Sequence, residues 1–477
     1  MNNIKFDKFI KIKILEIIIG IISLIVCLKN DIPDTYSNLF WIPLTYIIVV
    51  LIFKSRRLME FKNFAIAIVD VITAIKYCIM PFFIVINKDF YNGILTAQIP
   101  SKYYIDQAIV LTIIEMLAVY LFLFLYACLK KKNIKENKIN TNYKISIPIV
   151  GFCIIGCLVA IKYNKNFLPN QIFFVDSSYE KNAIESNLDG LITIILNCFK
   201  IFIFLIPLQY CINRYKEKKS NKYIFYSVIV LLIYIALNSG LSRWSIIIPT
   251  IVSSNLFIKL FGKKAKKYIG FIIAFISVCI ISMTIVKFNW VLDEDSSTIQ
   301  VFKIYTQQLQ EYFSGVRAVA QGVETVDIYR KQIDFQTFFN DFTGSIPFIS
   351  HWINQDNRIN IYYNYLLKGT KKTATQIMPM MSIGYAYFGT ILSWILIVLH
   401  IWFAIKLAET SKKATNIYEK YIFLIISFWY SMSLGFNTQI IFAMFISLFV
   451  PFVAIIKLNN YFANKNKFII NKKEMEN

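Results

Sequence analysis

Along most of this chain polar residues arrive only as punctuation. Apolar runs of about 17 to 25 residues, rich in Ile, Leu, Phe and Val, are separated by short Lys-rich or polar breaks. Each is long enough for a helix to cross a hydrocarbon core of about 30 Å. Membrane-spanning strands would be shorter and would alternate apolar with polar positions, so the pattern predicts helices. Twelve spans follow from it, at about 14–28, 39–53, 64–86, 108–129, 145–161, 191–212, 223–237, an eighth that follows the turn ending at Arg243 and returns to Lys263, then 268–288, 382–407, 421–434 and 439–457. One stretch departs from the pattern: residues 290–378 are polar and aromatic-rich, with no run that could cross a bilayer. The expected plan is therefore all-α and polytopic. Spans one to nine lie in 1–289, one large outer loop in 290–378, spans ten to twelve in 379–457, and a basic cytoplasmic tail in 458–477. The other connectors are too short to build a site, which makes the large loop the expected place for chemistry.

Charge orients the chain. Lys5, Lys8, Lys11 and Lys13, then Lys54 with Arg56 and Arg57, Lys130 to Lys132, Arg214 to Lys219 and Lys263 to Lys267 all fall at alternate connectors. The positive-inside bias puts these and both termini in the cytoplasm of a bacterial inner membrane. The net charge of +23, from 51 basic and 28 acidic residues, is thus an orientation signal and not a nucleic-acid surface. A hydrophobic content of 57% and a mean hydropathy of +0.55 exclude an ordinary soluble protein. The first apolar run has no small-residue cleavage site after it and reads as a retained span. The eight cysteines lie mostly inside apolar runs and none is in the large loop, which argues against a disulfide framework or a thiolate metal site there.

Several residues could carry chemistry. Arg243, in the short turn NSGLSRW (Asn238 to Trp244), puts a permanent cation at the outer surface, where the inside-positive pattern has few. It suits a lipid phosphate, or it snorkels from a helix end. Within the large loop Arg317, Arg330, Arg358, Lys371 and Lys372 form a cationic set that a pyrophosphate would explain, since Arg grips phosphate oxygens bidentately. A solvated loop face is the rival. His351 fits a general base or a buried structural histidine, and Glu311, Glu324, Asp327, Asp341 and Asp356 are further candidate bases. Tyr312 and Trp352, among many loop aromatics, suit sugar faces or the membrane interface. Amphipathic stretches at about 301–313 and 359–367 are expected to lie along the outer leaflet and wall a site. Asp70, Lys76 and Glu115 inside spans read as an interhelical ion pair, with a proton path as the alternative. There is no Walker loop, HExxH, GxSxG or dinucleotide fingerprint, and only two histidines, so neither a metal nor a nucleotide cofactor is expected. No matching pair of Gly- or Pro-interrupted helices points to a transporter built on inverted repeats.

The arrangement resembles the Wzy-type polymerases of O-antigen and capsule repeat units, which share a GT-C-like membrane fold with the O-antigen ligases. The resemblance is carried by about twelve spans with one large outer loop before the last three. It is carried also by SGLSRW (Ser239 to Trp244), YFSGVRAV (Tyr312 to Val319), GSIPF (Gly344 to Phe348) and MPMMSIGYAYFGTIL (Met378 to Leu392). An Arg-x10-Gly pattern of the family's outer loops is matched by Arg358 and Gly369, whereas the loop 168–190 contains no Arg for a second copy. What the resemblance implies is a metal-independent glycosyltransferase acting in lipopolysaccharide or capsule biosynthesis. The growing chain on undecaprenyl pyrophosphate would be the donor and a hydroxyl of a new lipid-linked unit the acceptor. Arg243, Arg317, Arg358 and Lys371 would hold the pyrophosphate. Tyr312 and Trp352 would face the sugars, and His351, Glu324 or Asp327 would orient or deprotonate the hydroxyl. Membrane lipid, a chain-length regulator and a flippase are the implied partners, and no nucleic acid. A ligase with the same donor site, or a transporter of lipid-linked oligosaccharide, are the alternatives.

Overall fold

The computed structural model describes residues 2–88, 99–163, 187–237, 243–288, 306–346, 352–369 and 376–476, apart from short breaks at 31, 56–57, 59–62, 131–133, 141–142 and 345. Among the described residues all regular structure is helical and no strand occurs. Five helical stretches among the described residues are both long and apolar enough to cross a membrane: Asp34–Phe53, Phe64–Ile86, Lys102–Leu129, Gly190–Lys218 and Thr438–Lys465. The pair Met380–Leu392 and Ile395–Lys413 adds a sixth if it is counted as one span. The chain is a polytopic helical membrane protein.

That pair corrects one expectation. The sequence reads 382–407 as one continuous span, but the chain bends there by 108°. Two glycines permit it. Gly389 takes φ +71° with ψ −176°, a conformation essentially confined to glycine that costs other residues about 1–3 kcal/mol, and Gly384 lies directly against the Ser393 carbonyl, leaving no room for a side chain.

Two compact units are formed by interleaved stretches of chain. The first comprises residues 1–133, 292–408 and 427–443. In it helix Asn2–Lys29 packs on Trp41–Phe53 and on Met80–Ile86, and Trp41–Phe53 packs on Lys102–Leu129. Buried charges tie these helices together. Lys76 pairs with Glu115 at 2.7 Å, both almost wholly buried, and also donates to the Leu434 carbonyl at 3.0 Å. Tyr77 donates to the same carboxylate at 3.1 Å. Lys54, read from sequence as a solvent-facing orientation signal, is instead 2% exposed. It meets Glu16 at 2.6 Å and Asp70 at 2.5 Å. A lone ammonium would cost several kcal/mol at such a place, and the two carboxylates offset that cost. Asp70, Lys76 and Glu115 are thus held in interhelical ion pairs.

The described part of the 290–378 stretch, from residue 306 onward, folds within the first unit as short helices. Residues 306–312 are helical, followed by Val316–Ile328, Phe335–Thr343 and Ile359–Lys368. The first of these three packs against Lys102–Leu129 and Met380–Leu392, buries 10 of its 13 residues, and accepts a hydrogen bond at the Val319 carbonyl from Ser382 Oγ at 3.1 Å. Helix Ile359–Lys368 buries Ile359 to Asn364 and Leu367 in protein. Its less buried positions are Tyr365, Leu366 and Lys368.

The second unit comprises residues 134–291, 409–426 and 444–477. Helices Asn187–Lys218 and Lys222–Ala236 form a hairpin beside Ile147–Lys162, Trp244–Phe261, Ala265–Phe288 and Val450–Glu476. Its core is aromatic: Phe202 stacks on Phe452 at 4.6 Å between centroids, and Phe204 on Tyr234 at 5.0 Å. Asn459 locks two segments by accepting from Ser146 N at 2.8 Å and donating to Tyr143 Oη at 3.0 Å. All eight cysteines are free thiols.

Candidate functional site

The polar core of the first unit is built around Asp341. A capping box starts its helix: the Asp334 carboxylate accepts from Thr337 N at 2.8 Å, which satisfies an orphan amide of the first turn. About two turns later Asp341 faces inward and is 3% exposed. Its carboxylate accepts from Ile359 N at 3.1 Å, from Tyr387 Oη at 2.7 Å and from the Gln439 amide. Three separate segments therefore converge on one side chain. Asparagines close the surrounding web. Asn340 Nδ2 donates to the Asn357 carbonyl at 3.0 Å, and Asn357 Oδ1 accepts from Thr337 Oγ1 at 3.0 Å and Tyr362 Oη at 2.8 Å.

Arg358 borders this core. It is the residue preceding helix Ile359–Lys368, its Nε donates to the Gln355 carbonyl at 3.3 Å, and its guanidinium lies over Gly344. A Cβ added at Gly344 would sit 2.7 Å from Arg358 Nη1 and 2.7 Å from the Asn340 carbonyl. The glycine of GSIPF thus leaves the space the guanidinium occupies. Arg358 and Gly369, the Arg-x10-Gly pair, bracket one helix. Arg358 stands at its N-cap, and Gly369 at its C-cap takes φ +67°, the left-handed conformation that glycine adopts most readily. The spacing is the length of that helix.

Burial dominates the electrostatics. It pushes the Asp341 carboxyl up to about 7, against the opposing pull of the Tyr387 hydrogen bond, the Arg358 charge, the Ile359 amide and Gln439. Burial likewise lowers the Arg358 guanidinium below its ordinary value, while Asp341 and Asp356 raise it. The result is a partly buried cation next to a buried carboxyl that titrates near neutrality.

Arg317 is elsewhere in the same unit. It is 5% exposed and lines a cavity of about 400 Å³, mouth included, with Glu311 and four glutamines. Glu324 and Asp327 lie on the same helix, about 10 and 15 Å further along its axis at 1.5 Å per residue. Glu324 is half-buried and its carboxyl is raised by desolvation. Asp327 is exposed and accepts from Tyr385 Oη at 3.1 Å. Tyr312 is half-buried at the end of the 306–312 helix, whereas Trp352 is 86% exposed in a turn. Arg330 reaches the Ala386 carbonyl at 3.4 Å. In the second unit Arg243 is 8% exposed at the start of helix Trp244–Phe261. His351, Lys371 and Lys372 lie outside the described residues. The structure thus brings Arg358 together with Asp341 and Tyr387, and Arg317 with Glu311. Asp341 stood among five undifferentiated carboxylates in the sequence, and Gln439 carried no signal, because their convergence is a tertiary event. No family model matches the chain, and no curated protein or solved structure matches it either.

Proposed function

We propose that this protein is a membrane glycosyltransferase that polymerises oligosaccharide repeat units linked to undecaprenyl pyrophosphate into a surface polysaccharide. The reaction takes place on the outer face of the bacterial cytoplasmic membrane, with twelve crossings and both termini inside. The observation that carries the reading is Arg358 beside buried Asp341, in a folded polar layer that packs on apolar helices. Glycosyl transfer from a diphosphate carrier breaks the bond from the anomeric carbon to the phosphate oxygen. The electron pair leaves on the diphosphate as the acceptor hydroxyl oxygen bonds to that carbon. A guanidinium in a partly desolvated site stabilises this developing charge without a metal ion. Asp341 acts as a positioning residue, since its oxygens are occupied by three donors and its charge favours a fixed Arg358. Glu324, on the helix Val316–Ile328 that packs against Ile359–Lys368, is the carboxylate assigned here to take the hydroxyl proton. The substrate partner is the lipid-linked oligosaccharide in the surrounding membrane lipid, and a flippase and a chain-length regulator act before and alongside it.

Deleting the protein and resolving the surface glycan on a gel tests this. Single repeat units attached to lipid are expected. Complete loss of surface glycan would point to a transporter, and an unchanged ladder would remove the polymerase.

A further inference from the structure

Helix Phe335–Thr343 is amphipathic the wrong way round for water. Phe335, Phe338, Phe339 and Phe342 stand at i, i+3, i+4 and i+7, which makes one apolar face. Thr337, Asn340 and Asp341 stand on the other. A helix lying on the core of a soluble protein would bury the rings and wet the polar side. Here Thr337, Asn340 and Asp341 are the buried residues, tied to Asn357, Ile359, Tyr387 and Gln439, while Phe335 is 80% and Phe339 48% exposed. Helix Ile359–Lys368 does the reverse and buries Ile359, Ile361 and Leu367.

The exposed rings join an apolar surface that belongs to the spanning part of the chain. Phe338 lies 4.8 Å from Tyr387 and 6.4 Å from Phe388, centroid to centroid, and beyond it Phe388, Ile391 and Leu392 are 36%, 78% and 45% exposed. Those three sit on Met380–Leu392, the first half of the bent pair that together is long and apolar enough to cross a membrane. Phe342 lies 6.3 Å from Phe442, in a stretch itself long and apolar enough to span. Charge borders the face at one end: Arg330, Lys331 and Asp334 are exposed before the first turn, and from Phe335 to Thr343 the one charged residue is buried Asp341. Charges followed by bare phenyl rings are the order of groups met on passing from lipid headgroups into acyl chains. Hydrocarbon asks for no polar partner, and this face offers none.

We propose that helix Phe335–Thr343 is seated in the bilayer interface, its Phe335, Phe339 and Phe342 covered by phospholipid acyl chains and Lys331 level with the headgroups. The surface is independent of what the protein catalyses. One consequence rests on the polymerase reading: Asp341 stands across a helix about 10 Å wide from the acyl chains, so a lipid-borne diphosphate reaches the neighbouring Arg358 while its tail stays in the bilayer.

The test uses the native full chain in liposomes of phosphatidylcholine that carries a diazirine in its acyl tail. Photolysis releases nitrogen and leaves a carbene that inserts into whatever lies against the tail, and the labelled peptides are mapped by mass spectrometry. Adducts are expected on 335–343 and on Trp41–Phe53, where Leu51 and Ile52 are 52% and 62% exposed, and not on 359–368. Phe335→Ser with Phe339→Ser leaves the buried polar face as it is and should lower labelling of 335–343 about tenfold, the equivalent of about 1.4 kcal/mol, which is less than the burial of two phenyl rings supplies. The proposal is overturned if 335–343 carries no adduct, if 359–368 is labelled in its place, or if the double variant is labelled as strongly as the native chain. A face covered by a second copy of the chain gives the first of these results. The deletion phenotype is separate: an unchanged surface ladder would remove the polymerase and leave this labelling intact, and absent labelling would leave a polymerase whose helix lies out of the lipid.

Discussion

Replacing Asp341 separates two roles of its carboxyl, the acceptor and the charge. Asp341→Ala removes an acceptor for the Ile359 amide, the Tyr387 hydroxyl and the Gln439 amide at a position 3% exposed. Stranding a buried donor costs about 1–3 kcal/mol, and rotation of the Tyr387 hydroxyl relieves part of the sum, so a loss of about 3–6 kcal/mol is expected. Asp341→Asn keeps one oxygen for Ile359 and Gln439, and its new amide can donate to the Tyr387 oxygen, so about 1 kcal/mol or less is expected. Charge gives the second signature. A carboxyl raised from 3.8 to about 7 on folding favours the folded state fully below pH 4, and that contribution is lost as pH climbs through 7. At about 1.4 kcal/mol per pK unit this is about 4 kcal/mol. Unfolding of the purified protein followed at pH 5, 6, 7 and 8 should therefore show stability declining across this window in the native chain. The Asn variant should lack that component. Equal stability of the Ala and Asn variants, or the same pH profile in native and Asn chains, would refute the placement of Asp341 as the junction of this core.

Gly344→Ala places a methyl 2.7 Å from both Arg358 Nη1 and the Asn340 carbonyl; the guanidinium must shift, and polymer chains should shorten at normal protein level, as read on a surface-glycan gel. Gly369→Ala forces a side chain into φ +67° and should cost about 1–2 kcal/mol in unfolding measurements with wild-type thermal behaviour otherwise. Lys76→Met strands Glu115, which is wholly buried, and should cost about 3–5 kcal/mol, whereas the double change Lys76→Met with Glu115→Leu should recover most of the loss in a double-mutant cycle.

Where the apolar runs are long, the helices were readable from sequence: 64–86 emerges with its expected bounds, and the span expected at 108–129 emerges as a helix that begins at Lys102, because burial in lipid demands long apolar runs with satisfied backbones. The bend near Ser393 was hidden, since its glycines sit inside a run whose composition is that of an ordinary span. Lys54 shows the limit of reading charge by position. A lysine following an apolar run looks like a topological marker, yet Glu16, 38 residues earlier in the chain, draws it inward. In the site, the weight on Arg358 and Gly369 came from spacing, and the spacing has a local cause, the length of one helix. Asp341 and the glutamine cavity have none. Their partners come from segments 18 to 98 residues away for Asp341, and no local pattern marks such a meeting.

The account stands or falls on whether the purified chain, reconstituted in liposomes with undecaprenyl-pyrophosphate-linked repeat units, makes polymer. It predicts a ladder of lengthening glycan with release of undecaprenyl pyrophosphate, slowed about 100- to 1,000-fold in a folded Arg358→Ala variant, the effect of removing one charge-stabilising donor. A native chain that releases no undecaprenyl pyrophosphate and lengthens nothing, or an Arg358→Ala variant that polymerises at the native rate, would contradict it.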